Sequence, residues 1–149
     1  MALAEKIRTD MQQALRQRDA LRCSVLRLTL SSIHNAEIDQ QKKIDDTGVI
    51  TVLEKAAKML RESIEAFEKG NRQDLVDKET AELAIIMEYL PKQMSREEIV
   101  EAAKKVISEV GAKGPGDKGK VMSQLMPQLK GKAQGQEISN VVAELLSST

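Results

Sequence analysis

Residues 49–67 read VITVLEKAAKMLRESIEAF, and this stretch shows the clearest period in the chain. Its apolar side chains recur every three or four residues, as they do along one face of an α-helix. Asp46 or Thr47 is placed to cap the start of this helix, and Gly70-Asn71 is placed to end it. We therefore predict a long amphipathic helix built on Val49, Val52, Leu53, Ala56, Leu60, Ile64 and Phe67.

The segments before and after this helix have the same period. Residues 2–17 predict a first helix, and residues 20–41 predict a second with a broad apolar face. A fourth helix follows Asn71 and ends before Pro91, because proline disfavours helical geometry at the residue before it. The apolar positions are Leu3, Ile7, Met11 and Leu15 in the first helix, Leu21, Val25, Leu26, Leu28, Leu30 and Ile33 in the second, and Leu75, Leu83, Ile86 and Leu90 in the fourth.

Three shorter helices are predicted after Pro91. Ser95 and Glu98 form a capping box at the start of the first, and Asp117 is placed to cap the second. The third is marked by Ile138, Val141, Val142, Leu145 and Leu146. No segment alternates as a half-buried strand does. The predicted fold is all-α, with about seven helices in two subdomains, an N-terminal four-helix unit of residues 1–94 and a smaller, tail-like three-helix unit of residues 95–149.

The composition narrows the classes of protein and ligand. The 149 residues include one Phe, one Tyr and no Trp, so the cores must be aliphatic and nucleic-acid bases have almost no ring to stack on. Cys23 is the single cysteine, which excludes a disulfide within the chain. The longest apolar run, residues 83–87, is far too short to span a membrane. Charged residues from Glu5 onward argue against a signal peptide, and we expect a cytoplasmic protein with no membrane contact.

A second stretch differs from the rest of the chain and directs the search for function. Residues 111–135 read GAKGPGDKGKVMSQLMPQLKGKAQG, with five lysines and one acidic residue in a chain of zero net charge. We call residues 111–135 the lysine segment. In it, two glycine-lysine loops flank a short helix whose first backbone amides favour anions. The candidate contacts to an anionic ligand are Lys113, Lys118, Gly119, Lys120, Lys130, Gly131 and Lys132. Loops also carry lysines simply because they are solvated, and the sequence leaves that alternative open.

Two nucleotide-binding patterns occur in the lysine segment, and neither has the required context. Residues 114–119 match G-x-G-x-x-G, and residues 114–120 match the first part of a P-loop. Both motifs follow a strand, whereas a predicted helix precedes this loop. The P-loop also needs a hydroxyl directly after its lysine, where this chain has Val121. A nucleotide site is therefore not predicted.

Residues suited to catalysis or metal binding are present but not grouped. His34, the single histidine, lies eleven residues after Cys23 on one predicted helix, which is roughly 16 Å. That distance excludes a hydrogen bond, so we predict a surface histidine and a packed cysteine. Acidic residues of the third and fourth helices are interleaved with basic ones at helical spacings, which is typical of a solvated face. No catalytic residue, metal site or cofactor is predicted.

Several short motifs together resemble one protein family. They are Glu88-Tyr89-Leu90-Pro91-Lys92-Gln93, GDKGKVM at 116–122, LMP at 125–127 and KGKA at 130–133, with residues 24–27, 35–38 and 62–67 upstream. Over essentially the whole chain the sequence is similar to the YqeY family. That family is itself similar to the C-terminal helical and tail region of the B subunit of the aspartyl/glutamyl-tRNA amidotransferase. The chain departs from the family pattern at Lys118, Ser123 and Gln134.

The resemblance implies an all-helical protein of two subdomains with a role near tRNA. It does not imply the catalytic apparatus of the amidotransferase, and a label of carbon–nitrogen ligase with glutamine as donor would describe the full-length enzyme. We expect a non-catalytic module that binds tRNA or structured RNA by phosphate and shape contacts. An alternative is docking on an aminoacyl-tRNA synthetase or an amidotransferase component, which zero net charge favours. A free-standing glutamine-using enzyme is least expected, because no nucleophile and base lie together.

Overall fold

The computed structural model describes residues 2–148. Within this range the chain forms seven α-helices and no strand, so the predicted all-α fold with about seven helices is confirmed. None of these helices is long and apolar enough to cross a membrane. The helices are α1 Leu3–Arg16, α2 Ala20–Gln40, α3 Asp46–Lys69, α4 Gln73–Met87, α5 Arg96–Val110, α6 Lys118–Gln128 and α7 Gly135–Ser147, with a 3-10 turn at Pro115–Asp117.

The helices group into two compact units. The N-terminal unit comprises residues 1–90 with α1–α4, and the C-terminal unit comprises residues 91–149 with α5–α7. Residues 91–94 group with the C-terminal unit, where the Met94 N–H donates to the Lys132 carbonyl at 2.8 Å. Each unit buries its own aliphatic core.

The predicted stripe of α3 faces the core of the N-terminal unit. Val49 and Leu53 are fully buried, and the rest of the stripe is half-buried: Val52, Ala56, Leu60, Ile64 and Phe67. The other helices add Ile7, Val25, Leu26, Ile33, Ile85 and Ile86, and Tyr89 follows α4. The hydroxyl of buried Tyr89 donates to Asp10 at 2.5 Å, and burial together with this bond raises the pKa of Tyr89.

The N-cap of α3 lies one residue before the predicted positions, whereas the helix ends at Gly70-Asn71 as predicted. The Asp45 carboxylate accepts the Gly48 N–H at 3.0 Å, so Asp45, rather than Asp46 or Thr47, is the N-cap. Asp46 instead accepts the N–H of Leu3 at 3.0 Å. At the other end Asn71 adopts the left-handed conformation, with φ of 57°, whereas Gly70 has φ of −87°. Asparagine tolerates this conformation because its short polar side chain bonds locally.

Three leucines of the predicted apolar faces are exposed. Leu15 is 58% exposed and Leu28 is 71% exposed, and Leu21 is also on the surface. A step of four residues turns about 400°, so a stripe read in fours drifts by about 40° per step. The drift carries Leu15 off the core face of α1, and Ala14, seven residues after Ile7, is buried in its place.

The C-terminal unit packs α5, α6 and α7 against one another. Ser95 caps α5 as predicted, since its Oγ accepts the Glu98 N–H at 3.2 Å, and the Glu98 carboxylate accepts from the Ser95 hydroxyl. An Arg96–Glu144 ion pair ties the first turn of α5 to α7. The core is formed by Ile99, Ala103, Val106, Val121, Leu125, Leu129, Ala133, Ile138, Val141, Val142 and Leu146.

Candidate nucleic-acid interface

The lysine segment begins where α5 ends. Gly111 is the C-cap of α5 and has φ of +67°, which glycine adopts without a steric penalty. The N–H of Ala112 returns to the Ile107 carbonyl at 3.1 Å and closes the turn. Lys113 follows on the surface, and the chain then makes the 3-10 turn that leads into α6. The first glycine-lysine loop is thus a hydrogen-bonded turn.

The sequence predicted that the Asp117 side chain caps α6, but that side chain forms no capping hydrogen bond. Its carboxylate reaches back and accepts the Lys113 N–H at 2.9 Å. The N–H of Asp117 donates to the Gly114 carbonyl at 3.0 Å, and the N–H of Lys118 donates to the Pro115 carbonyl. The 3-10 turn therefore occupies two of the amides expected to hold an anion, so that role falls chiefly to the lysine side chains.

The two lysines at the start of α6 lie on different sides of the helix. Lys118 is half-buried, because it shares a face with Val121 and Leu125 of the core. Lys120 is exposed, since two residues along a helix correspond to about 200° of rotation. Gly119 between them is exposed, and a Cβ added there would meet no atom within 4 Å. A ligand therefore has open access to this turn from the side of Gly119 and Lys120.

The second glycine-lysine loop lies at the other end of α6. Gly131 is buried and has φ of +77°, a conformation that disfavours other residues. Lys130 and Lys132, on either side of it, are exposed. Gly131 thus fixes the path of the loop from inside, and the two lysines carry its positive charge to the surface.

The motif after Pro91 holds this second loop, a role that the sequence analysis missed. The Gln93 amide nitrogen donates to the Gly131 carbonyl at 2.7 Å and to the Pro91 carbonyl at 2.8 Å. Met94 adds its bond to the Lys132 carbonyl. The only sequence signal is the presence of Gln93 in a family motif, because a glutamine side chain does not reveal a partner 38 residues away.

The lysines at the two ends of α6 form two separate groups. Lys118 and Lys120 lie at its first turn, and Lys130 and Lys132 follow its last residue. Eleven residues of helix span roughly 16 Å, so one small anion cannot contact both groups. A polymer with phosphates along its length can reach both.

These lysines are not neutralised by neighbouring acids. Within residues 2–148, Lys118, Lys120, Lys130 and Lys132 form no ion pair. The C-terminal unit carries nine Lys and Arg against seven Asp and Glu, an excess of two positive charges, and the N-terminal unit has the opposite excess. The zero net charge of the chain therefore conceals a positive C-terminal unit.

Among residues 2–148, the other chemically active side chains do not come together as a metal site. Cys23 is buried and His34 is exposed on the same helix, as predicted. In residues 2–148 no three metal-ligating side chains of the Asp, Glu, His or Cys types come together. Arg22 donates to Glu88 at 2.6 Å, and this hydrogen bond raises the pKa of Arg22. The Glu88-Tyr89 half of the motif thus anchors the end of α4 within the N-terminal unit.

Several curated relatives of this chain are fungal proteins named altered inheritance of mitochondria protein 41, mitochondrial. The protein of Lachancea thermotolerans is 39% identical over 85 residues, which cover 56% of this chain and 46% of the relative. That of Kluyveromyces lactis is 33% identical over 113 residues, with coverages of 73% and 60%. That of Pyrenophora tritici-repentis is 26% identical over 146 residues, with coverages of 96% and 80%. The chain spans about half the length of the first two relatives.

The expectation of a cytoplasmic protein is contradicted by these relatives, which are named as mitochondrial proteins. That expectation depended on charged residues near the N-terminus and on the short apolar runs. Such features do not distinguish one aqueous compartment from another.

A family model supplies the broadest comparison. The model, described as Yqey-like protein, matches residues 4–146. The matched range contains the motif at residues 88–93, the Gln93–Gly131 contact and the whole lysine segment. The chain therefore belongs to the YqeY family.

Proposed function

We propose that this protein is a non-catalytic module that binds tRNA or another structured RNA through the lysine segment. The observation that carries the proposal is the set of four lysines, two at each end of α6, without an ion pair in residues 2–148. Charges left unneutralised in this way attract a polyanion, and binding releases its counterions.

The shape of the interface favours folded RNA over unstacked single strands. The chain has one Phe and one Tyr, both before residue 91, so the C-terminal unit itself offers bases no aromatic platform. The roughly 16 Å length of α6 separates the two lysine groups and suits phosphates spaced along a helical groove.

The test is binding of bulk tRNA to the full chain over a series of salt concentrations. Wild-type protein is expected to bind more weakly as salt rises, with a slope of at most about 4 to 5 on logarithmic axes. Lys118→Ala/Lys120→Ala and Lys130→Ala/Lys132→Ala should each weaken binding and reduce the slope by up to about 2. Most of the first effect should come from Lys120, because Lys118 is half-buried.

The matched control is Lys104→Ala/Lys105→Ala. These lysines are exposed on α5, outside the lysine segment. Substituting both removes two positive charges from the same unit, as each segment variant does. If the control weakens tRNA binding as much as the two segment variants do, the interaction depends on net charge alone. Absence of binding at low salt would overturn the proposal.

A protein partner is the second candidate, with an aminoacyl-tRNA synthetase or an amidotransferase component as the expected class. It is favoured by the exposed Leu15 and Leu28 and by a groove of about 360 Å³ between the end of α1 and the start of α2. Copurification of such a component that survives nuclease treatment and is lost in Leu28→Ser would support it. Loss of the component on nuclease treatment would mean that RNA bridges the two proteins, which supports RNA binding as the function.

A further inference from the structure

Gln93 connects the segment after Pro91 to the second glycine-lysine loop. Its side-chain nitrogen has two hydrogens, and both are used, one by the Pro91 carbonyl and one by the Gly131 carbonyl. The Gln93 residue itself is exposed, so packing does not explain its placement. The bond to Gly131 joins residues 38 positions apart within the C-terminal unit.

The loop that Gln93 reaches depends on backbone bonds for its shape. Gly131 is buried with positive φ, and the Lys132 N–H donates to the Leu129 carbonyl at 2.9 Å. On the other side of the loop the Lys132 carbonyl accepts from Met94. Both exposed lysines are adjacent in sequence to the carbonyl that Gln93 holds, so its position sets the directions in which they leave the loop.

We propose that Gln93 is a positioning residue for RNA binding, which acts by holding Lys130 and Lys132 at a fixed place relative to the start of α6. The inference rests on the proposed function. A loop that moves freely presents the same charge but contacts phosphates at the correct spacing for only part of the time. Gln93 therefore raises affinity for structured RNA without touching the RNA.

The test is a double-mutant cycle measured by tRNA binding on the full chain. Gln93→Met keeps an unbranched side chain of similar length and removes both donors. In the wild-type background it should weaken binding roughly three- to tenfold and lower the salt slope. In the Lys130→Ala/Lys132→Ala background it should change binding less than about twofold, because the lysines through which it acts are gone.

Gln136→Met is the matched control, because Gln136 is an exposed glutamine on α7, in the same unit but outside the lysine segment, and its amide donates to Asn140. It should leave tRNA affinity within about twofold of wild type in both backgrounds. Hydrogen exchange adds a readout that is independent of RNA. Gln93→Met should speed exchange of the Met94 and Lys132 amides while those of α7 stay protected, which also shows that the variant is folded.

The outcomes separate the two proposals. Wild-type binding that Gln93→Met does not weaken, or weakens equally in both backgrounds, overturns the role of Gln93 and leaves RNA binding intact. Unchanged exchange at Met94 and Lys132 also overturns it. Absence of tRNA binding by wild-type protein overturns the proposed function, and the role of Gln93 is then overturned with it.

Discussion

Asp117 shows how the partner within reach decides what one residue does. An aspartate before a helix usually accepts an amide of the first turn, which is the basis of the predicted cap. Here the 3-10 turn already bonds the amide of Lys118, and the carboxylate accepts the N–H of Lys113 instead. Gly131 is a similar case, because the sequence shows a glycine but not that it is buried or that its carbonyl accepts from a glutamine side chain.

Glu82 provides a prediction at the same scale. Burial, followed by the neighbouring Glu79 carboxyl, raises the pKa of Glu82 above its usual 4.5. A raised folded-state pKa means that the ionised carboxyl destabilises the fold at neutral pH, and that this cost disappears as the pH falls through the folded and then the unfolded value. Glu82→Gln should therefore raise the melting temperature at pH 7 and lose this advantage below about pH 4.5.

Thermal unfolding followed by circular dichroism at both pH values measures this effect. Glu62→Gln is the control, because Glu62 is exposed on α3 and the substitution removes the same charge. An equal stabilisation by both substitutions would assign the effect to net charge, and a larger gain at low pH would contradict the stated cause.

At the scale of the element, helix α2 illustrates why period alone does not locate a core. Leu26 and Leu28 are equally apolar and two residues apart, and they lie about 200° apart around the helix. Leu26 is fully buried, and Leu28 is exposed. The apolar residues of α2 surround most of its circumference, so only the placement of α1, α3 and α4 shows which of them form the core.

This difference predicts two unequal substitutions on one helix. Leu26→Ala should lower the free energy of unfolding by about 2 to 5 kcal/mol, because it leaves a cavity in the N-terminal core. Leu28→Ala should change it by less than about 0.5 kcal/mol. Urea denaturation of both variants measures the difference. A cost for Leu28→Ala comparable with that of Leu26→Ala would mean that another surface covers Leu28 in solution.

At the scale of the whole molecule, the two cores have no residue in common. One draws on residues between Ile7 and Tyr89, and the other on residues between Ile99 and Leu146. The Tyr89–Asp10 and Arg22–Glu88 bonds lie within the first unit, and the Gln93–Gly131 bond lies within the second. Each of these three interactions therefore lies within a single unit and stabilises that unit.

Two fragments test this independence. Residues 1–90 and residues 91–149 should each show helical circular dichroism and unfold cooperatively on heating. The second fragment should be the less stable, because small domains bury a smaller share of their surface. Its tRNA affinity should retain the salt slope of the full chain. A fragment that unfolds without a cooperative transition would show that its core needs the other unit.

The sequence by itself determined the all-α class, the number of helices and most of their ends, because these depend on apolar spacing, caps and prolines acting over a few residues. It also identified the lysine segment, whose composition differs from the rest of the chain. Only the tertiary structure decided that Leu15 and Leu28 are exposed, that two lysine groups lie at opposite ends of α6, and that Gln93 holds Gly131. These features join residues far apart in the chain, and a contact of that kind exists only after the helices have packed.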